Sequence, residues 1–285
     1  MTYMTELILL TAISRPKNID RLIKNVQELT DKYIDTVRFT WAVCVDIYHT
    51  SEEDRSIALK KLRESGLFFV LYDAGKPNQK NYGGDMFNEA LHDVYKRFYQ
   101  EDGIDPWIYI FDDDNIIIEH SIDLLIHVDT ECNGYDLIAG NWFMMSSGNM
   151  SVFYTNNFLV GGVDGYAINN PDPSDDFFRY SVFKEFGDFN GGLDYDFTSV
   201  RIMYYQNTHR VFLIGDCDTL EITNLHNGMK NSKDAEWLDS IGDNLEFFIK
   251  AQDRRLLSKQ YNGFYVKDKD RVRRIIEILK EECQD

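Results

Sequence analysis

The chain has 285 residues, 44% of them hydrophobic and 14% aromatic, which excludes a disordered protein and suits one large α/β domain, alone or with a smaller appendage. Its 48 acidic residues against 30 basic give a formal net charge of -18, which argues against a general nucleic-acid surface or an anionic membrane as partner. Four scattered cysteines (Cys44, Cys132, Cys217, Cys283) show no CxxC or zinc spacing, so reduced thiols in a cytoplasmic protein are expected.

The first apolar run, Leu7 to Ile13, is too short to span a bilayer and is expected to be a buried strand. After the turn Ser14-Arg15-Pro16, Leu22, Ile23, Val26 and Leu29 recur at helical spacing over 19–29. A second strand covers Phe39 to Val45 and ends at Asp46. Ser51-Glu52-Glu53-Asp54 has the acidity of a first helical turn, and that helix stops at Ser65-Gly66. Leu67 to Tyr72 is a third strand ending at Asp73. Gly83-Gly84-Asp85 opens a helix that runs through Tyr99, and Trp107 to Phe111 is a fourth strand. Such alternation predicts a mainly parallel sheet covered by helices on both sides, with ligands beyond the carboxyl ends of its strands. Thr11, Arg15, Asp46, Asp73, Asp112 and Asp114 all fall at that edge.

The second half is less regular. Short strands are expected at 136–141 and 151–154, and a strand pair at 158–169 interrupted by Gly161-Gly162 and Gly165. Helices are expected at 174–186 and 196–205, and a strand at 210–214. Beyond 224–234 come helices around 235–257 and 270–282. The expected organisation is one domain over 1–228, divided near 115 into a nucleotide-binding half and an acceptor half, with a helical extension over 229–285.

The chemistry centres on Asp112-Asp113-Asp114, which directly follow the apolar run Trp107-Ile108-Tyr109-Ile110-Phe111. Three adjacent carboxylates repel one another. A divalent cation held by oxygen ligands and bridging to a phosphate would neutralise them, whereas a solvated acidic turn would leave them to water.

The acidic cluster, the order of elements and several later motifs resemble glycosyltransferases of the GT-A fold, most closely the inverting family 2 enzymes with their aspartate-x-aspartate (DXD) motif. The likeness covers roughly residues 5–228, and the segment Tyr109 to Asn115 is also similar to family 43 enzymes. It implies a metal-dependent transfer of a sugar from a nucleoside diphosphate, a UDP-sugar above all, to a hydroxyl of a glycan or glycoconjugate.

Residue by residue, the resemblance implies that Thr11, Ala12 and Arg15 cradle the nucleotide, with Arg15 on a phosphate or the base. It places Asp46 at uracil or ribose and Asp73 at the base. Gly84 and Asn88 belong to a glycine-containing helix start that favours a diphosphate. Asp112 meets the ribose or a metal-bound water, Asp114 ligates the metal, and Asp113 orients the strand end or contacts the sugar. His226 supplies a late metal ligand, and carboxylate with imidazole suits Mn2+ better than Mg2+. Asp164 meets donor or acceptor hydroxyls. Asp194 is the candidate base, with Asp196, Asp188 and Glu185 as alternatives, because Leu193 stands where the family carries Glu.

From the residues alone, blander roles stand beside these. Asp46 and Asp73 can cap turns, Arg15 can be a surface arginine, Asp194 can cap a helix, and His226 can be an exposed loop side chain. Two other functions remain open at this point: a nucleotidyltransferase acting on a sugar phosphate, and a non-catalytic nucleotide-sugar-binding module.

Overall fold

Apolar runs without polar alternation form strands buried on both faces, and the centre of this molecule is built from them. The computed structural model describes residues 4–46, 50–74, 84–113, 115–117, 119–132, 134–139, 141–146, 149–154, 176–189, 211–213 and 221–223. In chain order the elements are β1 (Thr5–Ile13), a 3-10 turn (Pro16–Asn18), α1 (Ile19–Lys32), β2 (Val37–Asp46), α2 (Glu52–Glu64), β3 (Phe69–Ala74), α3 (Gly84–Phe98) and β4 (Trp107–Ile110). There follow β5 (Ile116–Ile117), α4 (Glu119–Thr130), β6 (Leu137–Ala139), β7 (Asn141–Ser146), β8 (Asn149–Tyr154), β9 (Asp176–Arg179), α5 (Tyr180–Phe186), β10 (Val211–Leu213) and β11 (Glu221–Thr223).

The main sheet has seven strands in the order β10-β6-β9-β4-β1-β2-β3. β4, β1, β2 and β3 are mutually parallel, as are β10 and β6, and β9 alone runs against its neighbours β4 and β6. This is the expected α/β architecture, a mainly parallel sheet flanked by helices. Leu7 and Leu9 of β1 face one core with Ile19, Leu22, Val26 and Leu29 of α1, Leu62 of α2 and Leu125 of α4. Ile8 and Leu10 face the other core with Phe87, Leu91 and Val94 of α3 and Phe183 of α5. Helices therefore cover both faces, and burial of their apolar stripes supplies the main driving force.

The helix starts follow the local chemistry. Ser51 caps α2, its hydroxyl accepting from the Asp54 N–H at 3.1 Å, and Gly66 leaves the helix at φ 76°, where a side chain would be strained.

In the segment 174–186, expected to be helical throughout, the described residues 176–186 are instead β9 followed by α5. Phe177 packs into one core and Phe178 into the other, so the strand is covered on both faces and shows no period-2 signal. The helix α4 is an element that the sequence reading did not name. The expected strand pair at 158–169, the helix at 196–205 and the extension over 229–285 lie outside the described residues.

A smaller sheet, β5-β11-β7-β8, follows from the acidic motif. β11 is antiparallel to β5, with Ile222 opposite Ile116, and parallel to β7. Among the described residues no helix is long and apolar enough to cross a membrane.

Candidate functional site

The carboxyl ends of β4, β1, β2 and β3 lie along one edge. Phe111 N–H donates to the Leu10 carbonyl at 2.8 Å, which closes the β4–β1 ladder and places Asp112 beside the end of β1. Across the next ladders, Ile13 is opposite Val45, Val45 is opposite Asp73, and Asp46 is opposite Ala74. At the usual strand spacing Asp46 is about 10 Å and Asp73 about 14 Å along the edge from Asp112. The antiparallel strand β9 begins at this same edge with Asp176, which pairs with Ala139. Sequence reading placed Asp176 in a helix and so missed its position; the signal was an acidic residue ahead of a Phe-Phe pair.

The acidic cluster is a tight turn. Asn115 N–H donates to the Asp112 carbonyl at 3.1 Å, which puts Asp113 at its first corner. Asp112 is half-buried at the edge. Asp113 points inward and is 1% exposed. Its Oδ2 accepts from the Ser14 N–H at 2.7 Å, the Ser14 hydroxyl at 3.2 Å and the Arg15 N–H at 2.5 Å. Its Oδ1 accepts from Arg15 Nε at 2.8 Å and stands 2.7 Å from Arg15 NH2. Five donors thus meet one carboxylate, whose two oxygens offer about four lone-pair sites. The guanidinium expected at a phosphate or the base is here ion-paired with Asp113.

The backbone beyond the turn is held as firmly. Arg21 NH2 donates to the Asp113 carbonyl at 3.3 Å. The buried Asn25 carboxamide donates to the Ile117 carbonyl at 3.0 Å and accepts from the Ile117 N–H at 2.8 Å. Ser14, Arg21 and Asn25 were not singled out from the sequence. For Asn25 the visible signal was a polar residue within the apolar stripe Leu22-Val26-Leu29 of α1.

Several other expected site residues have structural partners. Thr11 is fully buried and its hydroxyl accepts from Trp41 Nε1 at 2.9 Å. Ala12 packs against the core shared with α3. Gly84 opens α3 and is buried there. Asn88, one turn later, is 9% exposed and spends its carboxamide on the Phe189 backbone, donating to the carbonyl at 3.1 Å and accepting from the N–H at 2.9 Å. Asp188 Oδ1 lies 2.6 Å from His92 Nε2, and His92 Nδ1 lies 3.1 Å from the Tyr180 hydroxyl. Burial, with smaller contributions from Tyr95 and Asp188, pushes the Tyr180 phenol above its ordinary value. Glu185 is exposed on α5. Asp114, Asp164, Asp194, Asp196 and His226 lie outside the described residues.

Among the described residues no group of three His, Cys, Asp or Glu side chains could hold a metal ion. The donor chemistry fits a hard cation at one point, the Asp112 carboxylate at the sheet edge, and Asp113 is already saturated by nitrogen and hydroxyl donors. The strand pairing adds a second element. β11 runs antiparallel to β5, towards the Asn115 end of the turn, and it ends three residues before His226.

No protein-family model matches this sequence, and no curated protein sequence matches it. Solved structures do overlay on it. The mannosyltransferase PcManGT of Pyrobaculum calidifontis, in complex with GDP-Man and Mn2+, is 12% identical, with a TM-score of 0.48 over 89% of this chain and 65% of that one. The present chain therefore spans less than two thirds of that enzyme's length. TarS of S. aureus is 14% identical, with a TM-score of 0.47 over 99% of this chain and 71% of that one. Glucosyl-3-phosphoglycerate synthase from Mycobacterium tuberculosis, in complex with Mn2+, UDP-Glc and phosphoglyceric acid, is 13% identical, with a TM-score of 0.47 over 74% and 69%. These overlaps fall below 0.5, so the α/β assignment rests on the strand order above and the function on the chain's own residues.

Proposed function

We propose that this chain is a metal-dependent, inverting glycosyltransferase that moves a sugar from a nucleoside diphosphate, a UDP-sugar in the first instance, to a hydroxyl of a glycan or glycoconjugate. The observation that carries the reading is the pairing of β11 with β5. β11, which ends three residues before His226 in the sequence, runs towards the turn that follows Asp112, at the ligand-binding edge of a mainly parallel sheet.

In this reading Asp112, Asp114 and His226 hold Mn2+, or less favourably Mg2+. A bound cation would offset the charge that grows on the leaving diphosphate. The nucleotide lies along the edge from Asp112 past the β1 end to Asp46 and Asp73. Asp164 meets donor or acceptor hydroxyls. Asp194 takes the proton of the acceptor hydroxyl; the acceptor oxygen bonds to the anomeric carbon from the face opposite the diphosphate, and the bond from that carbon to the diphosphate oxygen breaks. Asp196, Asp188 and Glu185 are the alternative bases, of which Asp188 is already paired with His92. Residues 229–285 are proposed as an extension outside the catalytic domain.

Calorimetry with UDP and nucleotide sugars, with and without Mn2+, tests the proposal. Wild type should bind only with the cation, and Asp112→Ala and His226→Ala should each lose that binding. Unchanged UDP affinity in both variants would remove the metal assignment.

A further inference from the structure

We infer that Asp113 and Arg15 are positioning residues, and that with Asn25 they form a clamp by which the segment Ser14–Asn25 sets the acidic turn and the strand after it. The functional consequence rests on the glycosyltransferase reading, whereas the clamp itself rests on geometry alone.

The β1–β4 ladder ends at Phe111, so strand pairing with β1 does not fix the chain beyond it. From that point, besides the pairing of β5 with β11, three ties involving side chains hold the chain to the segment Ser14–Asn25. The first tie is the Asp113 carboxylate, bound by two consecutive backbone N–H groups, Ser14 and Arg15, and by the Arg15 guanidinium. Successive N–H groups of this kind form an anion-binding concavity, and here the anion belongs to the protein itself. The second tie is Arg21 on the Asp113 carbonyl, and the third is the two-way bond between Asn25 and Ile117. All three come from twelve consecutive residues, so the turn moves only if the end of β1 and the first turns of α1 move with it.

This arrangement also changes the charge problem of three adjacent carboxylates. The charge of the buried Asp113 is matched by Arg15, whose side chain is 32% exposed, at charge-assisted distances. A cation then has to answer only Asp112 and Asp114. The middle residue of the triplet is not a ligand in waiting; it holds the turn that follows Asp112.

The test uses the full chain with Asp113→Asn, Arg15→Ala and the milder Arg15→Lys. Asn at 113 sets an N–H group against donors, and Lys keeps the charge without the two-nitrogen fork. Two readouts separate the clamp from the proposed activity. In hydrogen exchange, amides of 113–117 should exchange about tenfold faster in Asp113→Asn and Arg15→Ala than in wild type, with Arg15→Lys between. In calorimetry, Mn2+-dependent UDP affinity should fall about 10- to 100-fold in the same variants, and the double variant should be no worse than the worse single one. If Asp113→Asn does not fold, Arg15→Lys carries both measurements. Unchanged exchange overturns the clamp whatever the activity. Faster exchange with unchanged Mn2+ and UDP affinity overturns the positioning role. If wild type binds neither Mn2+ nor nucleotide, the function proposal fails, and the exchange data alone decide the clamp.

Discussion

Asp129 on α4 has a fully buried side chain at the opposite end of the sheet from the acidic turn, and replacing it gives a demanding test of the packing described here. Its Oδ2 accepts from the Thr5 hydroxyl at 2.8 Å, its Oδ1 accepts from Trp107 Nε1 at 2.9 Å, and Arg179 NH2 pairs with the same oxygen. The Arg179 guanidinium also lies over the Trp107 ring, 4.1 Å from its centroid, and NH1 donates to the Asp105 carbonyl at 2.8 Å. One carboxylate therefore joins the starts of β1 and β4 to the end of β9. Asp129→Ala strips the partner from a cation that is only 17% exposed and leaves two neutral donors buried. Removing one side of a buried pair costs about 3–5 kcal/mol. Each orphaned neutral donor adds about 1 kcal/mol or more. The residual exposure of Arg179 favours the lower end for the pair, so the expected total is about 5 kcal/mol, a large part of a typical stability of about 5–15 kcal/mol. Guanidinium unfolding followed by circular dichroism reads this as a lower midpoint at unchanged slope. Asp129→Leu combined with Arg179→Met should recover most of the loss, because no charge is then left unpaired. A loss below about 1 kcal/mol for Asp129→Ala would refute the reasoning.

Asn88→Ala should cost about 2–4 kcal/mol, because it orphans both polar groups of the Phe189 backbone, and faster exchange of the Phe189 amide should accompany the loss. Burial, reinforced by Glu89, pushes the Cys44 thiol up to about 12. Peptide mapping after iodoacetamide treatment at pH 9 should show Cys44 unmodified in the native protein and modified in denaturant, and modification of native Cys44 at the rate of a free thiol would contradict its burial. The unfolded thiol releases its proton at lower pH than the folded one, so the contribution of Cys44 to stability is complete below its ordinary value of 9.0 and declines as pH rises towards about 12. Replacing it with Ser should remove that part of the alkaline loss.

The first four strands and three helices were legible because each presents a clean period and a turn signal between elements. α4 was not, because Ser121 and Asp129 are buried with Ile122, Leu125 and Val128 and break the apolar stripe. β9 was concealed by its two-sided burial. The edge on which Asp46, Asp73 and Asp112 fall follows from strand direction alone and was legible. The partners of Arg15, Asp113 and Asn88 were not. They are 98 and 101 residues distant in the chain, and an arginine that pairs with a buried carboxylate is written no differently from one that awaits a phosphate.

Asn25 and Asn88 do the same work in two places. Each extends a carboxamide from a helix and meets the N–H and C=O of a single residue on a passing segment, as a neighbouring strand would. The exchange requires one donor and one acceptor at a fixed reach. Aspartate lacks the donor, glutamine is longer by a methylene, and serine cannot span both groups. Both positions are therefore nearly closed to conservative replacement. Spontaneous loss of the amide nitrogen at either one would set a carboxylate against a main-chain carbonyl, that of Ile117 just after the acidic turn or that of Phe189 after α5.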